Sequence, residues 1–536
     1  MKNIHFFMIL KITILVMVFS LYSCVVSTRS NTFTLISPSA ARTSSSVAFI
    51  WHKPEDRRVA CYQVFADGKI HGIVSCTDYS AEGLKPGTEY GFFVRAIDEK
   101  GVVLYKSNSV IVTTKPAPDI FNIKSFGALP DGFTVNTESI QKAINACTPG
   151  GVVYIPEGEF LSGAIFLKSD MTLMIEKNGR LTGTANAENY PIVANAKVGR
   201  NETIHSSLIN TIDYGGNRLH DITIMGEGVI DANGIKLMAE QVKNNRDSRG
   251  RAIFLCNVDR LYLKDITVRQ SPSWCVHMVL CNDVSANNIK IHTRFDEYGR
   301  LYKGIHNGDG VNPEYCKDVY IFHSRIASQD DCIAIKAGRN EVGREMGVST
   351  ENIRITNCLF ESGFGVAVGS EMSACVRNVF VQDCVFKNAY SIGTVKGPRG
   401  RGGVVENVVY TDCVLSNHDH VYKDCEWFRG AINIDNFYSF VEYDVDKAEE
   451  FSEKTPVFRN ITFRNIVIDT STGNAVFMAG LPESPLQNIR LENVSAIGKT
   501  GLKAYNIDGL ILKNVHITAR EGDAMLLHNV VNLYEK

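Results

Sequence analysis

The tetrapeptide Asn352-Ile353-Arg354-Ile355 is one copy of a phrase that recurs through the second half of this 536-residue chain. In each copy an Asn or Asp precedes an alternating run rich in β-branched residues. The copies begin at Asp318, Asn352, Asn378, Asn407, Asn460 and Asn488. Successive copies start 26 to 34 residues apart, except for one gap about twice as long. A regular period of this length indicates a solenoid.

The repeated unit also predicts how the solenoid is built. Each unit is too short to bury its own apolar face, so the units must stack with their strands in parallel, roughly 4.8 Å apart. The sequence therefore predicts an all-β chain whose main domain is a right-handed parallel β-helix. In such a fold, residues one coil apart lie above one another on the same face.

Three carboxylates occur within about one repeat of each other. Asp309 lies between two glycines, and Asp330 and Asp331 precede the apolar run Cys332-Ile333-Ala334-Ile335. Neighbouring carboxyls separate their pKa values, which supplies the proton donor and the base that glycosidic cleavage requires. A solvated Asp-Asp turn is the alternative. Because adjacent strand residues point to opposite faces, Asp330 and Asp331 share one site only if the chain bends there.

The composition is that of an ordinary globular protein, with 44% hydrophobic and 21% charged residues. A formal net charge of -2 lacks the basic excess of nucleic-acid-binding proteins, so we expect no nucleic-acid partner. Setting Cys24 aside leaves 13 of the 14 cysteines, an odd number that does not suit a complete disulfide framework. Four of them adjoin strand-like runs and are predicted to pack in the core: Cys316, Cys358, Cys384 and Cys413.

Residues 1–23 have the pattern of an export signal, with Lys2 followed by an apolar run from Ile9 to Leu21. The run ends in Leu21-Tyr22-Ser23-Cys24, which resembles a bacterial lipoprotein box and predicts a lipid on Cys24. An ordinary signal peptide with an incidental cysteine is the alternative. We therefore expect a tether over residues 24–31 and an exported protein in the bacterial periplasm or outer membrane, attached to the membrane only through that lipid.

Residues 32–116 alternate short strand-like runs with turns, which is typical of a small β-sandwich. The segment GLKPGTEYGFFVRA, residues 83–96, resembles a fibronectin type III domain, with Trp51 as the core aromatic residue and Tyr90 as the corner tyrosine. This resemblance implies an accessory module. A proline-containing linker at 115–118 leads into the second domain, predicted over residues 117–536, and residues 136–147 have the apolar spacing of a capping helix.

Motifs spread over the second domain resemble those of the polygalacturonases of glycoside hydrolase family 28. They are Phe126-Gly127-Ala128, Gly226-Glu227-Gly228-Val229-Ile230-Asp231, Ser271-Pro272-Ser273-Trp274, Asn307-Gly308-Asp309-Gly310, Gln329-Asp330-Asp331-Cys332, Gly369-Ser370-Glu371 and Arg399-Gly400-Arg401-Gly402-Gly403. The resemblance implies that Asp330 is the general acid, and that Asp309 and Asp331 hold the attacking water. The implied reaction is an inverting hydrolysis without metal or cofactor. The positions it implies for substrate binding are Asn307, Lys336, Phe364, Glu371, Lys396, Arg399 and Arg401.

Two family signatures are altered in this chain. Gly363-Phe364-Gly365 stands where the family carries Gly-His-Gly, and Thr394-Val395-Lys396 stands where it carries Arg-Ile-Lys. Threonine does not reproduce the charge or the bidentate geometry of arginine. Arg399 or Arg401 would be the expected substitutes.

The resemblance predicts an enzyme that cleaves α-linked galacturonic acid bonds in pectin, with action at the chain end expected. An apolar wall at Phe364 and the lost charge at Thr394 favour a mixed pectic chain such as rhamnogalacturonan over plain polygalacturonate. Two alternatives stay open: a β-helix pectate lyase, and a degenerate carbohydrate-binding protein. A lyase would release products that absorb ultraviolet light.

Overall fold

A computed structural model describes residues 32–195, 198–199, 202–212, 217–243, 248–418, 429–438 and 444–536. The predicted export signal, the tether and Cys24 lie outside these residues. The chain divides into two compact units. Most of the first unit is formed by residues 49–81 and 89–113, and most of the second by residues 114–536.

The first unit contains two β-sheets. One sheet is formed by Thr32–Phe33, Cys61–Ala66, Lys69–Val74, Glu89–Ile97, Val103–Ser107 and Val110–Thr113. The other is formed by Leu35–Ile36, Val47–Trp51 and Asp78–Ala81. The fully buried Trp51 of one sheet packs on Tyr62 of the other, with 5.2 Å between ring centroids. This packing confirms the predicted N-terminal β-sandwich and its core aromatic residue.

The second unit is a parallel β-helix, as predicted, in which each coil supplies strands to successive positions of parallel ladders. The ladder that carries the candidate site is named the site sheet, and its strands are Ile165–Phe166, Ile209–Thr211, Ile253–Cys256, Val276–Val279, Val311–Glu314, Ile333–Ile335, Val366–Gly369, Gly393–Lys396, Gly430–Asp435, Asn474–Ala479, the first part of Thr500–Ala519, and Met525–Val531.

Two further ladders complete each coil. The first begins with Ile120–Asn122, Gly151–Ile155, Met171–Ile175, Leu219–Met225, Val258–Lys264, Asn282–Asn287, Lys317–Phe322, Thr350–Thr356 and Val376–Gln382. The second begins with Asp131–Val135, Gly158–Ser162, Gly179–Gly183, Val229–Asp231, Thr267–Arg269, Lys290–His292, Arg325–Ala327, Leu359–Ser362 and Val385–Lys387. From residue 404 onward the two ladders share the long strands Val404–Asn417, Val457–Thr470, Leu486–Gly498 and Thr500–Ala519, and Tyr534–Glu535 follows.

The repeated Asn or Asp of the sequence phrase forms a ladder along the β-helix. Each of these residues has a left-handed backbone, with φ between 53° and 59°, a region that Asn and Asp tolerate better than most residues. Each asparagine amide donates to the residue one coil earlier: Asn352 to Asp318, Asn378 to Asn352, Asn407 to Asn378, Asn460 to Asn407 and Asn488 to Asn460, at 2.9 to 3.2 Å. The sequence period is therefore the coil period.

Apolar side chains that point inward from all three ladders form one continuous core. The four predicted core cysteines belong to it and are at most 2% exposed. A helix at Thr137–Ala146 covers the first coils through its buried face, close to the predicted bounds. Shorter helices occupy Gly234–Gln241 and Asn340–Met346, and 3-10 turns occupy Ile123–Phe126 and Ala187–Asn189. Within the described ranges, no helix is long and apolar enough to cross a membrane.

Candidate active site

The three predicted carboxylates meet at the start of two adjacent strands of the site sheet. Asp309 precedes Val311–Glu314, and Asp331 precedes Ile333–Ile335. The backbone N–H of Gly310 donates to the carbonyl of Asp331 at 2.9 Å, which places the two segments side by side. Asp330 and Asp331 both lie in the bend before the strand, where the Asp331 N–H donates to Asp330 Oδ1 at 2.9 Å. The bend that a shared site required is present.

The carboxylates differ in how much solvent reaches them. Asp309 and Asp331 are each 3% exposed, whereas Asp330 is half-buried. Of the three, Asp330 is thus the one whose oxygen atoms an incoming sugar reaches most directly. Asp309 and Asp331 form the floor beneath it.

Two buried lysines neutralise this floor. Lys396 Nζ lies 2.8 Å from Asp331 Oδ2, and Lys336 Nζ lies 3.0 Å from Glu371 Oε2 and 3.9 Å from Asp309 Oδ2. Buried charges need such partners, because removal from water disfavours an isolated ion by several kcal/mol. The predicted positions Lys336, Glu371 and Lys396 therefore belong to the same cluster as the aspartates.

Burial also changes the protonation of the floor. Burial, reinforced by the Asp330 charge and opposed by Lys336, raises the pKa of Asp309 well above its usual range. Burial, opposed by Lys396, raises the pKa of Asp331 to about 6. For Lys336 and Lys396, burial acts to lower the pKa, but the surrounding carboxylates outweigh it and raise the pKa of both. Asp309 and Asp331 therefore bind their protons more tightly than free aspartates do.

The raised pKa of Asp331 predicts a pH dependence of stability. The folded protein binds this proton more tightly than the unfolded chain, so the stabilisation is present at low pH and is lost as pH rises through about 6. We expect the unfolding free energy of the wild type, relative to that of Asp331→Asn, to fall by on the order of 2 kcal/mol between pH 4 and 7.5. Urea denaturation of both proteins at each pH measures it. A pH-independent difference would contradict the prediction.

The remaining predicted substrate-binding residues have varied surroundings. Asn307 lies at the site, with its amide nitrogen 3.4 Å from Asp330 Oδ2. Arg399 makes a bidentate ion pair with Glu483 at 2.6 and 2.8 Å, and Arg401 donates to the carbonyl of Ser370 at 2.8 Å. These hydrogen bonds direct the two guanidinium groups to Glu483 and to the Ser370 carbonyl, and not to the three aspartates.

Phe364, predicted from the sequence to form an apolar wall, lies against the bend that carries Asp330. It is 6% exposed, and its ring packs on Tyr390 with 5.8 Å between centroids. Its backbone N–H donates to the carbonyl of Asp330 at 3.1 Å. The residue thus supports the bend that holds Asp330.

Three residues near the carboxylates had no role assigned from the sequence. Asn312 donates to Asp309 Oδ2 at 2.6 Å, and the Trp274 ring lies 4.6 Å from Lys336 Nζ. Arg249 donates to Asn307 Oδ1 at 2.9 Å, which orients the Asn307 amide nitrogen towards Asp330. Trp274 lies in a family motif that could have flagged it, whereas Arg249 is 58 residues from Asn307 and no local pattern marks it.

A comparison with protein families decides which family the chain belongs to. Residues 151–519, more than two thirds of the chain, match the model of glycosyl hydrolases family 28. The chain belongs to this family. The resemblance found in the sequence motifs is therefore confirmed, and the protein is a glycoside hydrolase.

Two proteins are similar to this chain over nearly its whole length, and a third over three quarters of it. An exo-poly-alpha-D-galacturonosidase of Dickeya chrysanthemi is 25% identical over 562 aligned residues, which cover 89% of this chain and 90% of the relative. The structure of a family 28 exopolygalacturonase of Yersinia enterocolitica has a TM-score of 0.81 and 25% identity, covering 93% of this chain and 98% of that one. An endo-polygalacturonase of Pectobacterium carotovorum is 26% identical over 75% of this chain and 93% of the relative.

Proposed function

We propose that this family 28 protein is an inverting hydrolase that removes galacturonic acid from the ends of pectic chains. The observation that carries the proposal is the arrangement of one half-buried carboxyl, Asp330, beside the two buried carboxyls Asp309 and Asp331. Inverting glycosidases require this division between a proton donor at the scissile bond and carboxylates that hold water. A binding protein has no chemical need for it.

Each side chain of the cluster receives a role in this proposal. Asp330 donates a proton to the leaving oxygen, since it is the carboxyl that a substrate reaches. Asp309 and Asp331 orient and activate the attacking water. Asp331 Oδ1 is buried and accepts no hydrogen bond from the described residues, so it suits a donor such as that water. Lys396 and Lys336 fix the two carboxylates and balance their charge.

Action at the chain end is supported by the relatives that span nearly the whole chain. The Dickeya relative and the Yersinia structure are both named as exo-acting enzymes, and each is covered for at least nine tenths of its length. The Pectobacterium relative, named as endo-acting, covers a smaller share of this chain. We therefore favour release of single galacturonate units over internal cleavage.

Product analysis on pectic oligosaccharides tests this function. We expect free galacturonate from the first moments of the reaction, with the inverted anomer in the initial proton NMR spectrum, and no effect of EDTA. Products that absorb ultraviolet light would identify a lyase instead. A ladder of intermediate lengths at early times would indicate internal cleavage.

We further propose that the mature protein is exported and tethered through a lipid on Cys24, on the evidence of the sequence Leu21-Tyr22-Ser23-Cys24. Cys24→Ala is expected to move the exported protein from the membrane fraction to the soluble fraction, because a lipid chain is its only anchor. Membrane fractionation followed by immunoblotting measures the change, with Cys76→Ala as a matched control that should stay in the membrane fraction. A soluble wild-type protein would contradict the anchor.

A further inference from the structure

Asn433 lies on the next strand of the site sheet after Thr394, which stands at the altered arginine position. Thr394 pairs in register with Asn433, and Lys396 pairs with Asp435. Alternate residues of a strand share a face. Lys396 reaches Asp331 from this face at 2.8 Å, so Thr394, Asn433 and Asp435 face the same side as the catalytic floor. The two strands lie roughly 4.8 Å apart, which is about the size of one sugar ring.

The amide of Asn433 has no hydrogen-bond partner in the described part of the chain. Both its nitrogen and its oxygen are buried, and the residue is 0% exposed. Buried polar groups are normally paired, and one left unpaired is a cost that needs an explanation. Asn312, on the same sheet, keeps one of its two amide atoms paired by donating to Asp309, whereas neither amide atom of Asn433 has a partner in that part of the chain. Asp309 and Asp331 are also almost fully covered, so low exposure is shared with the catalytic floor.

The charges around Asn433 are balanced. Arg429 Nε lies 3.7 Å from Asp435 Oδ2, and its guanidinium lies 5.2 Å from the centroid of the Phe477 ring. Lys396 is already paired with Asp331. A second galacturonate at this place would meet the Asp435 carboxylate, and the two cations beside it among the described residues, Arg429 and Lys396, are already engaged with Asp435 and Asp331. A neutral sugar would find an acceptor in Asp435, a donor in Arg429, and both in the Asn433 amide.

We propose that Thr394, Asn433, Asp435 and Arg429 form a hydroxyl-binding site for a neutral sugar adjacent to the galacturonate whose bond is cleaved. The inference rests on the proposed function and adds to it the class of the neighbouring sugar. It also gives a polar basis for preferring a mixed pectic chain, in addition to the apolar wall predicted at Phe364. Thr394 and Asn433 lie on the second and third strands of the site sheet after the strand that Asp331 precedes.

The test compares kcat/KM on two oligosaccharides of equal length, one of galacturonate alone and one with galacturonate linked to rhamnose. Wild type is expected to prefer the mixed substrate. Asn433→Leu keeps the size of the side chain but removes its hydrogen bonds, and should lower kcat/KM on the mixed substrate at least about tenfold. Its effect on the all-galacturonate substrate should be much smaller. Asp435→Asn removes the repulsive charge and should raise kcat/KM on the all-galacturonate substrate.

Several results would overturn the inference while leaving the proposed function intact. These are a wild-type preference for the all-galacturonate substrate, an Asn433→Leu variant that retains its activity on the mixed substrate, and equal losses on both substrates. If Asn433→Leu fails to unfold cooperatively, the Asp435→Asn variant decides, and an unchanged substrate ratio there rejects the site. Failure of wild type to release galacturonate from either substrate would instead reject the proposed function.

Discussion

Asp330→Asn is expected to lower kcat at least about 10²–10⁴-fold, the range typical of general acid catalysis. The amide keeps the shape of the side chain and its contact with the Asp331 N–H, but it has no proton to give to the leaving oxygen. Initial rates of galacturonate release measure the effect. Asp523→Asn, at an exposed turn, is the matched control and should retain full activity.

The leaving group separates the roles of the three aspartates. A substrate with an acidic leaving group, such as a nitrophenyl galacturonide, needs little protonation, so Asp330→Asn should regain much of its rate on it. Asp309→Asn and Asp331→Asn should stay severely impaired, because the attacking water still needs them. Near-normal turnover of Asp330→Asn on a pectic substrate would remove that residue from the mechanism.

Lys396→Met is expected to affect both stability and catalysis strongly. Removing one partner of a buried ion pair leaves the other charge uncompensated, at about 3–5 kcal/mol of folding free energy. Without the lysine the pKa of Asp331 rises further, so the carboxylate that holds water is depleted at neutral pH and the activity profile shifts to higher pH. Urea denaturation and a pH–rate profile measure the two effects.

A double variant distinguishes loss of the ion pair from general damage. Lys396→Met with Asp331→Asn removes both charges of this pair, and should recover much of the stability but none of the activity. Lys387→Met, on an exposed position of another ladder, should change neither. A Lys396→Met protein with wild-type stability and an unchanged pH profile would contradict the importance assigned to this pair.

Local patterns predicted the fold because the β-helix repeats them. The asparagines that begin each phrase require a backbone conformation that few residues tolerate, so their spacing exposed the coil length. The aspartate cluster was predictable for the same reason, since Asp309 and Asp331 precede consecutive strands. The sequence could say only that Asp330 and Asp331 share one site if the chain bends there, and the structure contains that bend.

Contacts between distant coils were beyond the reach of these patterns. Arg249 meets Asn307 across 58 residues, and Arg399 meets Glu483 across 84 residues. The packing of the Phe364 ring on Tyr390, 26 residues later, was likewise not predicted, because contacts between coils are not encoded in any single segment.

The stacking of coils places the catalytic aspartates and the residues proposed to select the neighbouring sugar on different coils. Asp309 and Asp331 belong to two consecutive coils, whereas Thr394 and Asn433 belong to coils further along the same sheet. Each coil contacts mainly its immediate neighbours, so a substitution at Thr394 or Asn433 leaves the strand register of Asp309 and Asp331 unchanged as long as Lys396, on the Thr394 strand, still pairs with Asp331. A lineage can therefore exchange one polymer for another by altering these two later coils around a retained Lys396, and the hydrolytic centre passes through that change intact.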